Sequence, residues 1–462
     1  MVAAQLARMT KLCAKPLHIA LIDRQTSIAE GAAYRSADAV HLLNVPARGM
    51  SAWPDRPEDF LHWSHRRDPL VGPYSFLQRR HYAEYLRAQL FESIAGATDH
   101  LSIEIHRQEA HAIERRPQGG WQVQCGESEF FDADAVVLAT GHRPPDDPLA
   151  NSWVGSRARY VVDPWACLAL ASIEPHESVC LLGTGLTAVD VLQSLASADR
   201  RAPVLALSRR GLLPAAHAPA PLPPIDPRVW LEPLLRDDAV LTVSELSNAI
   251  RQAVDRAISA NQDWRAIIDG LRPSIARLWQ KLPPAERKRF LRHARPFWEV
   301  ARHRMAPIVA ASVEEMRRTG LFATIAARAL ASCGDKDGVT LVIARRGGGE
   351  QETRQFDWVV NCTGPGTYGR SGLPPLLANL VSSGYLEEDP LRLGVCCTSD
   401  GRALVQGQVI DDLLVVGTLR KPALWESTAV PELRQQCAVA AEIIMGERAK
   451  AAQTPLLQAI GH

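Results

Sequence analysis

No sign of charge dominates the 462-residue chain: 52 Lys and Arg stand against 51 Asp and Glu, a formal net charge of +1. That balance removes any global electrostatic reason to expect nucleic acid or a membrane surface as partner. Long hydrophobic runs are missing as well, since no uncharged apolar stretch reaches the roughly 18 residues of a membrane helix. With 46% hydrophobic and 22% charged residues, the composition is that of a globular protein of two or three domains. The nine Cys are scattered, with no CxxC and no Cys/His cluster at zinc spacing. The adjacent Cys396 and Cys397 suit a redox dithiol badly. Reduced, mostly buried thiols in a cytoplasmic protein are the plain reading. His293 and His303 stand too far apart for a metal pair, and no metal is expected. A G-x-S-x-G anchor for Ser/His/Asp hydrolysis is absent, and so is a signal peptide.

What is there begins with "SVCLLGTGLTAVDVLQSLASADRRAPVLALSRRG", Ser178 to Gly211. Val179 to Leu182 reads as a strand, Thr187 to Ala198 as an amphipathic helix and Val204 to Leu207 as the next strand. Between them Gly183, Thr184, Gly185, Thr187 and Ala188 lie in a G-x-G-x-x-A turn. Gly183 makes the tight turn, Gly185 lets backbone approach a pyrophosphate, and Ala188 allows close helix–strand contact. The free N–H groups and positive dipole end of the helix then face the diphosphate. The second strand closes on Ser208, Arg209 and Arg210 where an NAD site would carry Asp or Glu. Hydroxyl plus guanidinium suits a 2′-phosphate, hence NADPH in preference to NADH; a solvated basic turn is the alternative.

A second such unit is incomplete. Val2 to Thr10 reads as a helix and His18 to Asp23 as a buried strand, with Asp23 placed to accept from an adenosine ribose or merely to end a strand. The irregular stretch Gly31 to Ala52, containing Asn44, has the character of a cofactor-lining segment or a plain loop. "WQVQCGESEFFDADAVVLATGH" (Trp121 to His142) and "VTLVIARRGGGEQETRQFDWVVNCTGP" (Val339 to Pro365) resemble each other. Each holds an alternating strand, a polar turn, Phe-Asp and an apolar strand ending in Thr-Gly, at Thr140-Gly141 and Thr363-Gly364. This suggests a duplicated architecture. A Pro-rich connector from Pro214 to Pro227 precedes a helical region, about 242 to 320, opened by a capping box at Thr242 and Glu245. In it, Arg302, His303 and Arg304 could anchor an anion or form a solvated face. Leu413 to Val416 reads as a strand followed by Gly417, and "WESTAVPELR" (Trp425 to Arg434) as the start of a helix, its N–H groups near Thr428.

Together, "GAAY…HLLNVPARGMSAWPDRPEDFLHW", "VVLATGH", "LLGTGLTAVDVLQSL", "LSRRGLLPAAH", "FLRHARPFWEVARHRMAP", "VVNCTGP" and "LWESTAVPELRQQ" span nearly the whole chain in order. In these motifs it resembles the bacterial FAD/NAD(P)-binding flavoproteins that include an FAD-dependent urate hydroxylase and an L-aspartate N-monooxygenase. The resemblance implies an α/β fold of two Rossmann-like dinucleotide-binding domains. The FAD domain (1–165 and 331–462) would be split around an NAD(P)H domain with a helical insertion (166–330). It implies a cycle in which NADPH reduces FAD, O₂ adds to the reduced flavin, and the hydroperoxide hydroxylates a small polar or anionic, urate-like or amino-acid-like substrate. A flavin reductase or oxidase, or a dinucleotide-binding protein without FAD, are the alternatives. Carried onto this sequence, the family pattern gives Asn44 and Arg304 catalytic roles and assigns Arg302, His303 and Trp425 to the substrate. The cofactors would take Asp23, Asn44, Thr140, Gly141, Gly183, Thr184, Gly185, Thr187, Ser208, Arg209, Arg210, Thr363, Gly364, Gly417 and Thr428. Two departures stand out. Ala301 replaces the first residue of the family's "HRHR", and the strand and G-x-G-x-x-G/S turn expected before Val2 are absent. They are expected to precede a late Met1, or to have been lost.

Overall fold

The computed structural model describes residues 1–12, 16–25, 28–35, 38–236, 240–348, 350–368 and 372–453. In chain order the first strands are β1 (Leu17–Ile22), β2 (Leu101–His106), β3 (Ala110–Arg115), β4 (Trp121–Cys125), β5 (Glu129–Ala133) and β6 (Val136–Leu138). Then come β7 (Trp153–Gly155), β8 (Tyr160–Val161), β9 (Val179–Leu182), β10 (Val204–Ser208), β11 (Phe322–Gly334), β12 (Val339–Arg345), β13 (Glu352–Phe356) and β14 (Trp358–Asn361). The last are β15 (Arg402–Val405) and β16 (Gln408–Val415). The helices that matter for the site are α1 (Val2–Met9), α2 (Arg79–Ala95), α3 (Leu186–Ala196), α4 (Trp264–Gly270), α5 (Arg295–Arg302) and α6 (Val430–Gln453).

The sequence-read βαβ unit is present, and it centres an eight-stranded sheet. Its parallel part runs β11-β10-β9-β14-β8, and β12 and β13 extend it antiparallel from the far end of β11. β9 is apolar throughout (Val179, Cys180, Leu181 and Leu182) and wholly buried, as a central parallel strand must be. Ala188, Val189, Val191, Leu192 and Leu195 of α3 pack on the sheet in one cluster with Val204, Phe322 and Val360.

The first domain is built from smaller sheets. β1 pairs parallel with β2, and β16 pairs parallel with β6 and antiparallel with β15. The outer edges of β1 and β6 have no strand partner among the described residues. Ala-rich α1 packs between α2 and α6, with Leu6 against Leu17 and Ala441. The two domains are tied through α3. The Arg79 guanidinium meets the Asp190 carboxylate at 2.7 Å, and His41 Nε2 lies 2.9 Å from Ser194 Oγ.

The duplicated hairpin-plus-strand unit exists twice, as β4-β5-β6 and β12-β13-β14, but the expected domain borders do not follow the sheets. The border at 330/331 falls inside β11, and the one at 165/166 falls after β8, which pairs with β14. Sheet membership therefore places 153–361 in the second domain, and Thr363-Gly364 closes a strand of that domain rather than of the first. The repeat looked alike in both places because each copy is a local unit. Which sheet it joins is decided by pairing at long range, such as Val359 beside Cys180.

Helices from Arg228 to Arg318 form the insertion, and the capping box of Thr242 and Glu245 is present. Their core, around Leu278 and Trp279, takes in Trp425 from the C-terminal segment.

Gly183 holds the turn between β9 and α3 against β14. Its φ is +125°, and a Cβ there would lie 2.2 Å from the Cys362 carbonyl oxygen. Gly183→Ala is accordingly expected to destabilise the fold by about 2 kcal/mol or more, read as a lowered urea midpoint. Gly185→Ala, with nothing within 4 Å of its Cβ, should cost under about 1 kcal/mol.

Candidate functional site

The nucleotide turn is shaped as the sequence implied, but its hydroxyls face inward. Thr184 Oγ1 donates to the Leu212 carbonyl (2.6 Å) and lies 2.9 Å from Ser208 Oγ, which accepts the Gly211 N–H at 3.0 Å. Thr184 and Ser208 thus lock the turn to the loop after β10. The Thr363 hydroxyl is likewise spent on Asn361 Oδ1 at 2.7 Å. What stays open is Gly185, exposed, at the start of α3, whose first turn holds Thr187 and has no side-chain cap. A nucleotide diphosphate fits there, because the uncapped N–H groups need an acceptor and no Cβ stands in the way. The Arg210 guanidinium donates to the His293 carbonyl at 3.2 Å and lies 4.7 Å from the Phe297 ring, so it is ordered beside the turn rather than solvated at random.

In the first domain, Asp23 ends β1 and its Oδ1 accepts from the Gln25 N–H at 2.9 Å. Thr140-Gly141 closes β6, and the Thr418 hydroxyl donates to the Gly141 carbonyl at 2.6 Å. The Gly417 N–H is held by Gln436 Oε1 at 2.8 Å. These residues join the end of β6 to the segment leading into α6.

Between the domains and the insertion lies a cavity of about 1390 Å³. Asn44, Arg302, His303, Arg304, Trp425 and Thr428, expected near the chemistry from far-separated motifs, all line it. Leu186, His142 and Pro365 reach its wall too, so the start of α3 and the ends of β6 and β14 converge there. Convergence at the carboxyl ends of parallel strands is where such sheets bind ligands. Asn44 is fixed by its carbonyl oxygen, which accepts from His217 Nε2 at 2.9 Å. The acceptor can only be the carbonyl, so this ring nitrogen carries the proton.

The arginines do not stand as free anion anchors. Arg302 pairs with Glu426 at 3.0 Å, both side chains nearly buried. Arg304, 2% exposed, pairs with Asp269 of α4. Arg272 grips Glu432 through two bonds of 2.8 and 2.7 Å. Buried charge must be paired, and here each guanidinium brings its carboxylate from elsewhere in the chain. The solvated-face alternative for 302–304 fails for the same reason. Sequence reading missed Asp269, Arg272, His217 and Lys421. Only His217 carried a local signal, as the last residue of the motif LSRRGLLPAAH.

Trp425 has φ +59° and ψ −64°, and the Glu426 N–H donates to the Leu424 carbonyl at 2.7 Å. This is a tight γ-turn, rare for a large side chain. Ser427 Oγ and Arg304 Nε are buried without a hydrogen-bond partner among the described residues. Next to Ser427, the start of α6 at Thr428, Ala429 and Val430 opens onto the cavity. A flavin ring and ribityl chain fit this end, where helix N–H groups meet a large cavity. For the FAD diphosphate the described residues hold no Gly-rich turn ahead of α1.

Residues 1–143 match the family model described as FAD-NAD(P)-binding. No curated protein matches. Solved structures match in fold over almost the whole chain. The ornithine N-hydroxylase of Kutzneria sp. 744, captured with reduced FAD, NADP⁺ and L-ornithine, has a TM-score of 0.62 at 15% identity, covering 97% of each chain. L-lysine 6-monooxygenase from Pseudomonas syringae gives 0.61 at 17%, covering 98% of this chain and 97% of that one. Ornithine hydroxylase from Pseudomonas aeruginosa gives 0.61 at 15%, covering 96% of each. The fold is therefore that of flavoproteins with two dinucleotide-binding domains. No helix among the described residues is long and apolar enough to cross a membrane.

Three histidines of the cavity wall, His142, His217 and His303, are held below the ordinary value of 6.5, in each case chiefly by burial. Their folded pKa is depressed, so the unfolded chain binds protons first as pH falls. Stability is full above pH 6.5 and declines below it. Thermal unfolding followed between neutral pH and about pH 5 should show this acid-side loss. His303→Gln should flatten it.

Proposed function

We propose that the protein is an FAD- and NADPH-dependent monooxygenase that hydroxylates a small polar molecule of amino-acid-like character. The observation that carries this reading is the cavity: the ends of both domains' strands and the start of α3 open into one space, walled by paired charges. The family match over residues 1–143 supports FAD and NAD(P) as the cofactors. The fold neighbours named above act on ornithine and lysine, which supports an amine-bearing substrate.

In this reading α3 receives the NADPH diphosphate at Gly185 and Thr187. Arg209 and Arg210 take the 2′-phosphate, and Asp23 accepts from the FAD ribose. Thr428 and the start of α6 would offer N–H groups to the flavin, and Asn44 lines the same cavity. Bound FAD would supply the redox chemistry: two electrons from NADPH reduce O₂, one oxygen atom entering the substrate and the other leaving as water. Arg304 and Arg302, each held by its carboxylate, brace this wall. His303, neutral near pH 7 because burial lowers its pKa, lies between the two arginines as a hydrogen-bonding group for substrate.

The test is stoichiometric. In FAD-loaded protein, an amino-acid substrate should stimulate NADPH consumption, with hydroxylated product matching NADPH used. Peroxide accounting for all the NADPH would replace the monooxygenase by an oxidase. The nucleotide assignment is tested by Arg209→Ala with Arg210→Ala. Loss of charge-assisted contacts worth roughly 1.5–3 kcal/mol should raise KM for NADPH about 10- to 150-fold, with KM for NADH little changed. Equal loss for both nucleotides would remove the 2′-phosphate site.

A further inference from the structure

One enclosed cation of the cavity is treated differently from the enclosed arginines around it. Arg272, Arg302 and Arg304 each hold a carboxylate, and Arg295 of α5 holds Glu299 at 2.7 Å. Lys421 lines the same cavity, yet among the described residues its ammonium makes neither an ion pair within 4.0 Å nor a hydrogen bond. Its nitrogen sits 4.6 Å from the centre of the Trp425 ring. That position is built by the backbone. Lys421 opens the short helix to Leu424, its carbonyl accepts the Trp425 N–H at 2.9 Å, and the γ-turn at Trp425 folds the indole back beneath it. Trp425 is itself wedged between Trp279 and Phe290, with ring centres 4.9 Å away in each case. The ammonium is thus held on a rigid aromatic floor, facing open space.

We propose that Lys421 is the anion-holding residue of the cavity and takes a carboxylate of the substrate. This deepens the monooxygenase reading and rests on it for the word substrate. A largely enclosed ammonium without a counter-ion is costly, and the ring quadrupole of Trp425 offsets only part of that cost. The neighbouring acids do not complete it, because Glu299 and Glu426 are already committed to Arg295 and Arg302. The other charged or titratable groups facing it are His142 and His303, whose depressed pKa leaves them neutral near pH 7. Burial and Arg295 push the Lys421 pKa down to about 8, while Glu299 and Glu426 act in the opposite direction. The group is therefore mostly charged at neutral pH. A carboxylate brought by a ligand would meet the enclosed cation of this wall that, among the described residues, lacks a carboxylate; Arg48, which lines the cavity and also lacks one, is exposed and donates to the Tyr74 hydroxyl at 2.9 Å. The assignment moves anion recognition from Arg302 and Arg304, where the sequence placed it, to a residue four positions before Trp425.

The test uses the purified full chain and needs neither turnover nor flavin. Trace acetylation with acetic anhydride, read lysine by lysine by peptide mass spectrometry, reports the free amine of Lys421 against the six other lysines. The probes are L-aspartate and succinate as carboxylates, cadaverine as a cation without one, and NADP⁺ as the competing source of anionic groups. The carboxylates should slow acetylation of Lys421 several-fold and selectively, and cadaverine should not. Calorimetry should then show Lys421→Met losing L-aspartate affinity by about 10-fold or more, with Lys421→Arg retaining most of it. No protection by either carboxylate, equal protection by cadaverine, or protection by NADP⁺ alone would each overturn the proposal. Failure here with product formation intact removes only the anion site. Protection without any hydroxylated product leaves the anion site and removes the reaction.

Discussion

Three arginine–carboxylate pairs decide what this protein can be. A guanidinium in an enclosed wall is tolerable only with its counter-charge, and removing one partner of such a pair typically costs about 3–5 kcal/mol. Arg302 with Glu426, Arg304 with Asp269 and Arg272 with Glu432 meet that requirement by reaching across the chain. Arg302 with Glu426 bolts the helical insertion to the segment between β16 and α6, Arg272 with Glu432 bolts it to the first turn of α6, and Arg304 with Asp269 braces the insertion from within. The segment between β16 and α6 carries Lys421, Trp425 and Thr428, so the pairs set the geometry of the cavity as well as its charge. Trp425 completes the joint by filling the insertion's own apolar core.

The same joint explains how an insertion in the second domain serves a site shared with the first. α3 starts at the cavity, and its middle is held to the first domain by Asp190 and Ser194. A nucleotide held at Gly185, as proposed, would lie at the start of a helix fixed to the first domain. The cavity is where the start of α3, Asn44 and the start of α6 meet, and its wall is braced by paired arginines.

Much of this was legible in the sequence, and what was not has a common physical cause. The βαβ unit at 179–208 could be read because glycine freedom, helical spacing and strand composition are local signals, and Gly183 meets its expected constraint against Cys362. Six residues from separate motifs, Asn44, Arg302, His303, Arg304, Trp425 and Thr428, do converge on one cavity. The domain borders could not be read, because a hairpin-plus-strand unit carries no local mark of the sheet it will join. Nor could the state of Arg302 and Arg304 be read, since their partners lie 124 and 35 residues away. Composition shows a basic patch, and only the fold shows that it is neutralised. Lys421 escaped notice as a single lysine, and it becomes visible only when the enclosed arginines of the wall have been paired off.

The central claim is that one cavity brings flavin and nicotinamide together. Anaerobic mixing of the FAD-loaded protein with NADPH, followed through the flavin absorbance, tests it most directly. The bound flavin is expected to bleach with one equivalent of NADPH, faster than with NADH. A protein that takes up no FAD, or whose bound flavin stays oxidised in excess NADPH, would contradict it.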